Sequence, residues 1–124
     1  IPALVRNLSA RYPLAVASGS VHRIIAEVLA LQDLRRHFSA IASVEDVGVP
    51  KPAPDVFLHA ARLLGVDPAG CWVIEDSAAG VAAGRTAGMT VIAITNSLPA
   101  ERLREAHHIV QTYDEVAALL GVAS

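Results

Sequence analysis

Short apolar runs alternate with amphipathic stretches along the whole chain. Residues 2–12 place Leu4, Val5, Leu8 and Tyr12 on one helical face, and 14–17 follow as a short buried strand. The small polar turn Ser18-Gly19-Ser20 then opens a helix over 21–31, with Ile24, Ile25, Val28 and Leu31 expected inward. A helical turn over 34–38 leads to a strand at 40–44 and a loop at 45–49. Pro54 suits the first turn of the next helix, whose inward residues are Phe57, Ala60, Ala61 and Leu64 and whose stop is Gly65. Residues 71–74 read as a strand, ending at the adjacent acids Glu75 and Asp76. A helix rich in Ala and Gly follows, stopped by Gly88, then a strand at 90–94 and a short helix at 99–106. An edge strand at 109–111 and a helix at 115–120, capped by Asp114 and ended by Gly121, complete the pattern.

Strands alternating with helices, with no internal repeat and no linker, predict an α/β fold with a parallel sheet covered on both faces. In such a sheet the carboxyl ends of the strands share one edge, where ligands bind. Three polar groups fall at those ends: Ser18-Gly19, Lys51 and Glu75-Asp76. The helix after Asp76 carries Gly80, Gly84 and Gly88 at four-residue spacing. Interior helix glycines cost about 1 kcal/mol each relative to alanine, so Gly80 and Gly84 predict a smooth face pressed against the sheet.

Composition narrows the functional classes. With 124 residues the chain is long enough for one core and too short for two, so 1–124 is read as one domain. It is 53% apolar with mean hydropathy +0.45, yet no apolar run reaches the length of a membrane span. A net charge of −2 without a basic block argues against nucleic acid as a partner. The single cysteine, Cys71, allows no intrachain disulfide, which makes a reducing cytoplasm the default compartment. The chain opens at Ile1 rather than Met and shows no signal-peptide pattern, as expected of a sequence whose front has been removed.

Nine of the ten cations are arginine; the one lysine is Lys51, held between Pro50 and Pro52. A hydroxyl, backbone amides at a helix start and a compact ammonium suit a phosphate. Paired carboxylates suit Mg²⁺, a hard, oxygen-seeking ion. Each residue has a plainer reading: Ser20 as an N-cap, Lys51 as a solvated lysine, Glu75 and Asp76 as acids favoured by a helix dipole. His22, His37, His59, His107 and His108 show no ligand spacing, and His107-His108 reads as a strand-edge pair. Glu45-Asp46 reads as a solvated loop rather than a metal site, and Cys71 and Trp72 read as core.

The stretches AVASGS, GVPKPAPDVF and VIEDSAAGVAAGRTAGM resemble the second, third and fourth motifs of the haloacid dehalogenase superfamily, in that family's order. They are most similar to its β-phosphoglucomutase, phosphoglycolate phosphatase and sugar-phosphate phosphatase branch. The resemblance implies a Rossmann-like α/β core and a Mg²⁺-dependent phosphatase or phosphomutase acting on a small phosphorylated metabolite. It implies that Ser18 and the Gly19 amide bind the transferring phosphate, that Lys51 neutralises it in catalysis, and that Glu75 and Asp76 help bind Mg²⁺. The family's first motif, DxDGT-like, supplies the aspartate that becomes phosphorylated, and no Asp-x-Asp occurs in these 124 residues. The helical cap that selects substrate in this branch is missing too. The expectation is therefore an incomplete core, lacking its central strand and cap and inactive alone, with its sheet completed by a missing segment or a second copy. The competing readings are a phosphate-binding module that never had a nucleophile and one half of a split enzyme.

Overall fold

The computed structural model of the chain describes residues 2–123. Helix α1 (Pro2–Ser9) leads into β1 (Ala15–Ser18), α2 (His22–Leu31) and β2 (Ala40–Ser43). The short α3 (Val44–Val47) and the longer α4 (Asp55–Leu64) come next, then β3 (Trp72–Glu75) and α5 (Ala78–Thr86). Strand β4 (Thr90–Ile94), strand β5 (His108–Val110) and α6 (Tyr113–Leu120) close the chain. Among the described residues, no helix is long and apolar enough to cross a membrane.

Among the described residues all strand pairs are parallel, and they form two separate sheets, β1-β2 and β3-β4-β5. No ladder joins β1 to β3. What unites the halves is a core under α4: Val56, Phe57, Ala60 and Ala61 share one buried cluster with Ala42 from the first sheet and Val73, Val91 and Ala93 from the second. Ala15 and Ala17 of β1 pack against the same cluster. Because strand residues alternate between faces, Val16 and Ile41 point the other way, toward Ile25 and Leu29 of α2. On that second face Ile92 and Ile94 lie under Leu4 and Leu8 of α1 and Val116 and Ala117 of α6. The expected α/β layering is present, as two half-sheets rather than one.

The C-terminal stops of α4, α5 and α6 follow their glycine signals. Gly65, Gly88 and Gly121 take left-handed φ of 69°, 82° and 72°, where a residue with a Cβ is strained. The last carbonyls of α6 have no partners within the helix. Side chains near the end of α1 satisfy this region: Tyr12 Oη donates to Leu120 O at 3.0 Å, Arg11 to Gly121 O, and Asn7 Nδ2 to Ala123 O at 2.9 Å.

Several expectations need correction. The 45–49 loop contains α3, started by a Ser43–Asp46 capping box and stopped by Gly48 at φ 74°. The N-cap of α2 is Val21 rather than Ser20, and that of α6 is Thr112, whose Oγ1 accepts the Glu115 N–H; Asp114 lies inside the first turn. Only Ile25 and Leu29 of α2 are buried, leaving Ile24, Val28 and Leu31 exposed, because a sheet two strands wide covers only a narrow stripe of the helix. Trp72 and Ile74, read as interior, are 46% and 38% exposed on the open edge strand β3, while every residue of β1 is only partly buried. Trp72 instead stacks on His108 with ring centroids 5.6 Å apart. Cys71 is half-buried, and burial followed by the Asp67 charge raises its thiol pKa.

The smooth face of α5 is real. A Cβ built on Gly84 would lie 2.7 Å from Val91 Cγ2 and 3.5 Å from Val73 Cγ2. Valine is stiff at χ1 and cannot turn aside cheaply. Gly84→Ala is therefore expected to destabilise the chain by about 1–3 kcal/mol, although alanine is the better helix former. Urea unfolding measures this, and a gain in stability would contradict the close-packing account.

Candidate active site

Strand β1 ends at Ser18 and strand β3 at Glu75, on the facing edges of the two half-sheets. Lys51 reaches both. It follows α3 and Gly48 on an arm stiffened by Pro50 and Pro52, with the Lys51–Pro52 peptide cis. Its Nζ donates to Ala17 O at 3.2 Å and to Glu75 Oε2 at 2.8 Å. The Phe57 ring of α4 lies 4.7 Å from the ammonium, adding a cation–π attraction. Lys51 and Glu75 side chains are 17% and 12% exposed, so the pair is largely withdrawn from water.

Glu75 is held in this pose from the other side as well. Its Oε1 accepts the Asp76 N–H and the Ser77 hydroxyl, both at 3.2 Å. Ser77 is also the N-cap of α5, accepting the Gly80 N–H at 3.0 Å. Gly80 is required by this arrangement: a Cβ there would sit 2.1 Å from Glu75 Cγ and Cδ. One glycine of the spaced series thus clears the sheet and the other clears a site carboxylate. Asp76 turns toward the end of β4, where Ser97 Oγ donates to its Oδ2 at 3.1 Å.

On the β1 side, Ser18 Oγ accepts the Ser20 N–H at 3.0 Å, which leaves its own proton free to donate. A Cβ on Gly19 would meet nothing within 4 Å, so the space beside this residue is open. The structure therefore brings Lys51 together with Glu75 and with the Ala17–Ser18 strand end, and places Asp76 beside Glu75.

Sequence reasoning missed several neighbours. Glu45 and Asp46 are not merely solvated: Glu45 Oε1 accepts the His22 N–H at 2.5 Å, and Asp46 Oδ1 pairs with His22 Nε2 at 2.8 Å. Asp46 Oδ2 accepts the Ser43 N–H at 2.9 Å and lies 3.5 Å from His59 Nε2. The Ser43 N–H, and then the His22 hydrogen bond, lower the Asp46 carboxyl pKa below its ordinary value. Ser97 had no sequence signal. Ser43 and Asp46 did have one, the S-x-x-D spacing of a capping box. Among the described residues, no three His, Cys, Asp or Glu side chains stand close enough to hold a metal between them. Glu75 and Asp76 offer hard oxygen donors of the kind Mg²⁺ prefers, enough for part of its shell.

A match to the haloacid dehalogenase-like hydrolases covers residues 1–88. The chain belongs to this family. Within the family it falls in the β-phosphoglucomutase and phosphatase branch. This haloacid dehalogenase-like chain is 40% identical over 89 residues to fructose-1-phosphate phosphatase YqaB of Escherichia coli, across 72% of this chain and 47% of that protein. It is similar in structure to a haloacid dehalogenase family hydrolase from Deinococcus radiodurans solved with bound phosphate and sodium. That likeness has a TM-score of 0.87 and 32% identity, over 97% of this chain and 57% of the other. It also resembles β-phosphoglucomutase from Clostridium difficile, with TM-score 0.81 and 29% identity over 92% of this chain and 49% of the other. The chain spans about half the length of these relatives.

Removing one member of a largely buried ion pair strands the other charge and costs about 3–5 kcal/mol. Lys51→Ala is expected to destabilise the chain on that scale, and the double variant Lys51→Met/Glu75→Gln by clearly less. Chemical denaturation of both variants checks it, and equal losses would contradict the pairing.

The depressed Asp46 carboxyl gives a pH prediction. Its contribution is fully present above the pKa of an unfolded aspartate, about 3.9. It is lost as pH falls through the lower folded value. The stability gap between wild type and Asp46→Asn should therefore close as pH falls below about 4. Thermal melts across acid pH measure the gap, and a gap that widens on acidification would contradict the assignment.

Proposed function

We propose that this chain is the phosphate- and metal-gripping part of a phosphohydrolase or phosphomutase acting on a small phosphorylated metabolite of the sugar-phosphate or phosphoglycolate type. The observation that carries the reading is the position of Lys51, which spans the open edges of β1 and β3. A strand inserted there would bring its carboxyl end beside the only lysine, the Ser18 hydroxyl and the Glu75-Asp76 pair. That strand would carry the nucleophilic aspartate, and the reaction would pass through an aspartyl phosphate. Residues 1–124 are on this reading one incomplete core unit of a cytoplasmic enzyme, with the cap also outside it.

Each residue then has a task. The Ser18 hydroxyl and Gly19 N–H donate to phosphate oxygens, and the Lys51 ammonium neutralises their charge. Glu75 and Asp76 hold Mg²⁺, with Ser97 fixing the orientation of Asp76. Bound Mg²⁺ supplies further charge neutralisation of the transferring phosphoryl group. Support comes from YqaB, named as a fructose-1-phosphate phosphatase, and from the Deinococcus relative with its bound phosphate.

On this reading the isolated chain is expected to leave p-nitrophenyl phosphate unhydrolysed with or without Mg²⁺, because the strand bearing the nucleophilic aspartate would lie outside it. Turnover that survives rigorous purification and disappears in Asp76→Ala would overturn this reading and place a nucleophile within the 124 residues.

A further inference from the structure

Helix α2 opens directly after the Ser18–Ser20 turn, and its N-cap residue, Val21, makes no side-chain cap. The helix start is fastened by another element. Ser43, fully buried at the end of β2, donates its hydroxyl to Ser20 O at 2.7 Å. One residue into α3, Glu45 accepts the His22 N–H, and Asp46 accepts from the His22 ring. An ionised carboxylate can only accept, so His22 Nε2 carries the proton in this contact. Asp46 also faces His59 Nε2 on α4, whose Nδ1 is 3.4 Å from Arg62 Nη2. The Ser20–His22 segment is thus gripped at a carbonyl, an N–H and a side chain by residues 43–46.

We propose that α3 is the positioning element of the anion turn, with Glu45 as a helix cap supplied from outside α2. The inference rests on the phosphate reading of Ser18 and Gly19 given above. Orphan N–H groups at a helix start need acceptors, and the acceptor normally comes from the N-cap side chain. In this chain the Ser18 hydroxyl proton and the Gly19 N–H are left for a ligand because Glu45 does the capping, while Ser20 is engaged by Ser18 and Ser43. A consequence follows for ligand contacts. The His22 N–H is already taken by a carboxylate, so an anion at this edge meets the Ser18 hydroxyl, the Gly19 N–H and Lys51, and not the His22 amide.

The test uses inorganic phosphate as the probe and the ¹⁵N–¹H signals of Gly19 and Ser20 as the readout, in the full chain. Glu45→Ala and Glu45→Gln carry the same charge and differ in whether an acceptor remains for the His22 N–H. A third variant, Glu115→Ala, removes a similar carboxylate contact, Glu115 Oε2 to Gln111 N at 2.6 Å, at the start of α6. Glu45→Ala should bind phosphate more weakly than Glu45→Gln, by at most about fivefold if the whole stability of one cap is felt at the turn. Glu115→Ala should match wild type in phosphate affinity even where its melting temperature falls. Equal affinity in the two Glu45 variants, or an equal loss in Glu115→Ala, overturns the positioning role while leaving the anion turn in place. No saturable shift at Gly19 in wild type refutes the anion turn, and the positioning role falls with it.

Discussion

Two half-sheets that share no ladder are held across their facing edges by one ammonium group. Lys51 donates to the β1 backbone at Ala17 and to the β3 carboxylate of Glu75, with the Phe57 ring of the common helix α4 against it. Around this strut, α4 supplies the apolar continuity that backbone hydrogen bonding does not. The same contact sets the chemistry of the edge. A buried cation and anion tolerate each other because they are paired, and a phosphate drawing on Lys51 or a divalent ion drawing on Glu75 would have to compete with the partner already in place. Gly80 and Ser77 matter for the same reason, since they fix the carboxylate the lysine answers.

The apolar surface fits the same constraint. Trp72 and Ile74 face the side on which Ile92 and Ile94 are buried beneath α1 and α6, yet they remain exposed. Unpaired strand edges with large apolar side chains beside them are a liability in a finished fold. Their position on β3, next to the break between the sheets, supports the proposal that a further strand belongs there.

Much of the architecture was legible because local chemistry and global fold agree. β4 lies where a β-rich apolar run begins just after Gly88, and α4 stops at Gly65 as a left-handed glycine requires. Lys51 stood out because arginine was used everywhere else. What escaped notice depends on three dimensions. α3 is four residues long, too short to show helical periodicity. The buried stripe of α2 is set by the width of the sheet beneath it, and Trp72 looked interior because its run is apolar, which says nothing about whether its edge is paired. Glu45 and Asp46 are two adjacent acids in sequence; only the fold brings His22 and His59 to them.

The most direct measurement is complementation at the break. A synthetic segment bearing a DxDGT strand, added to the purified chain, should raise its melting temperature and increase amide protection in both β1 and β3, since parallel pairing on both sides occupies both open edges. A chain that is a stable monomer and shows neither change would contradict the claim that the edges spanned by Lys51 are the seat of a missing strand.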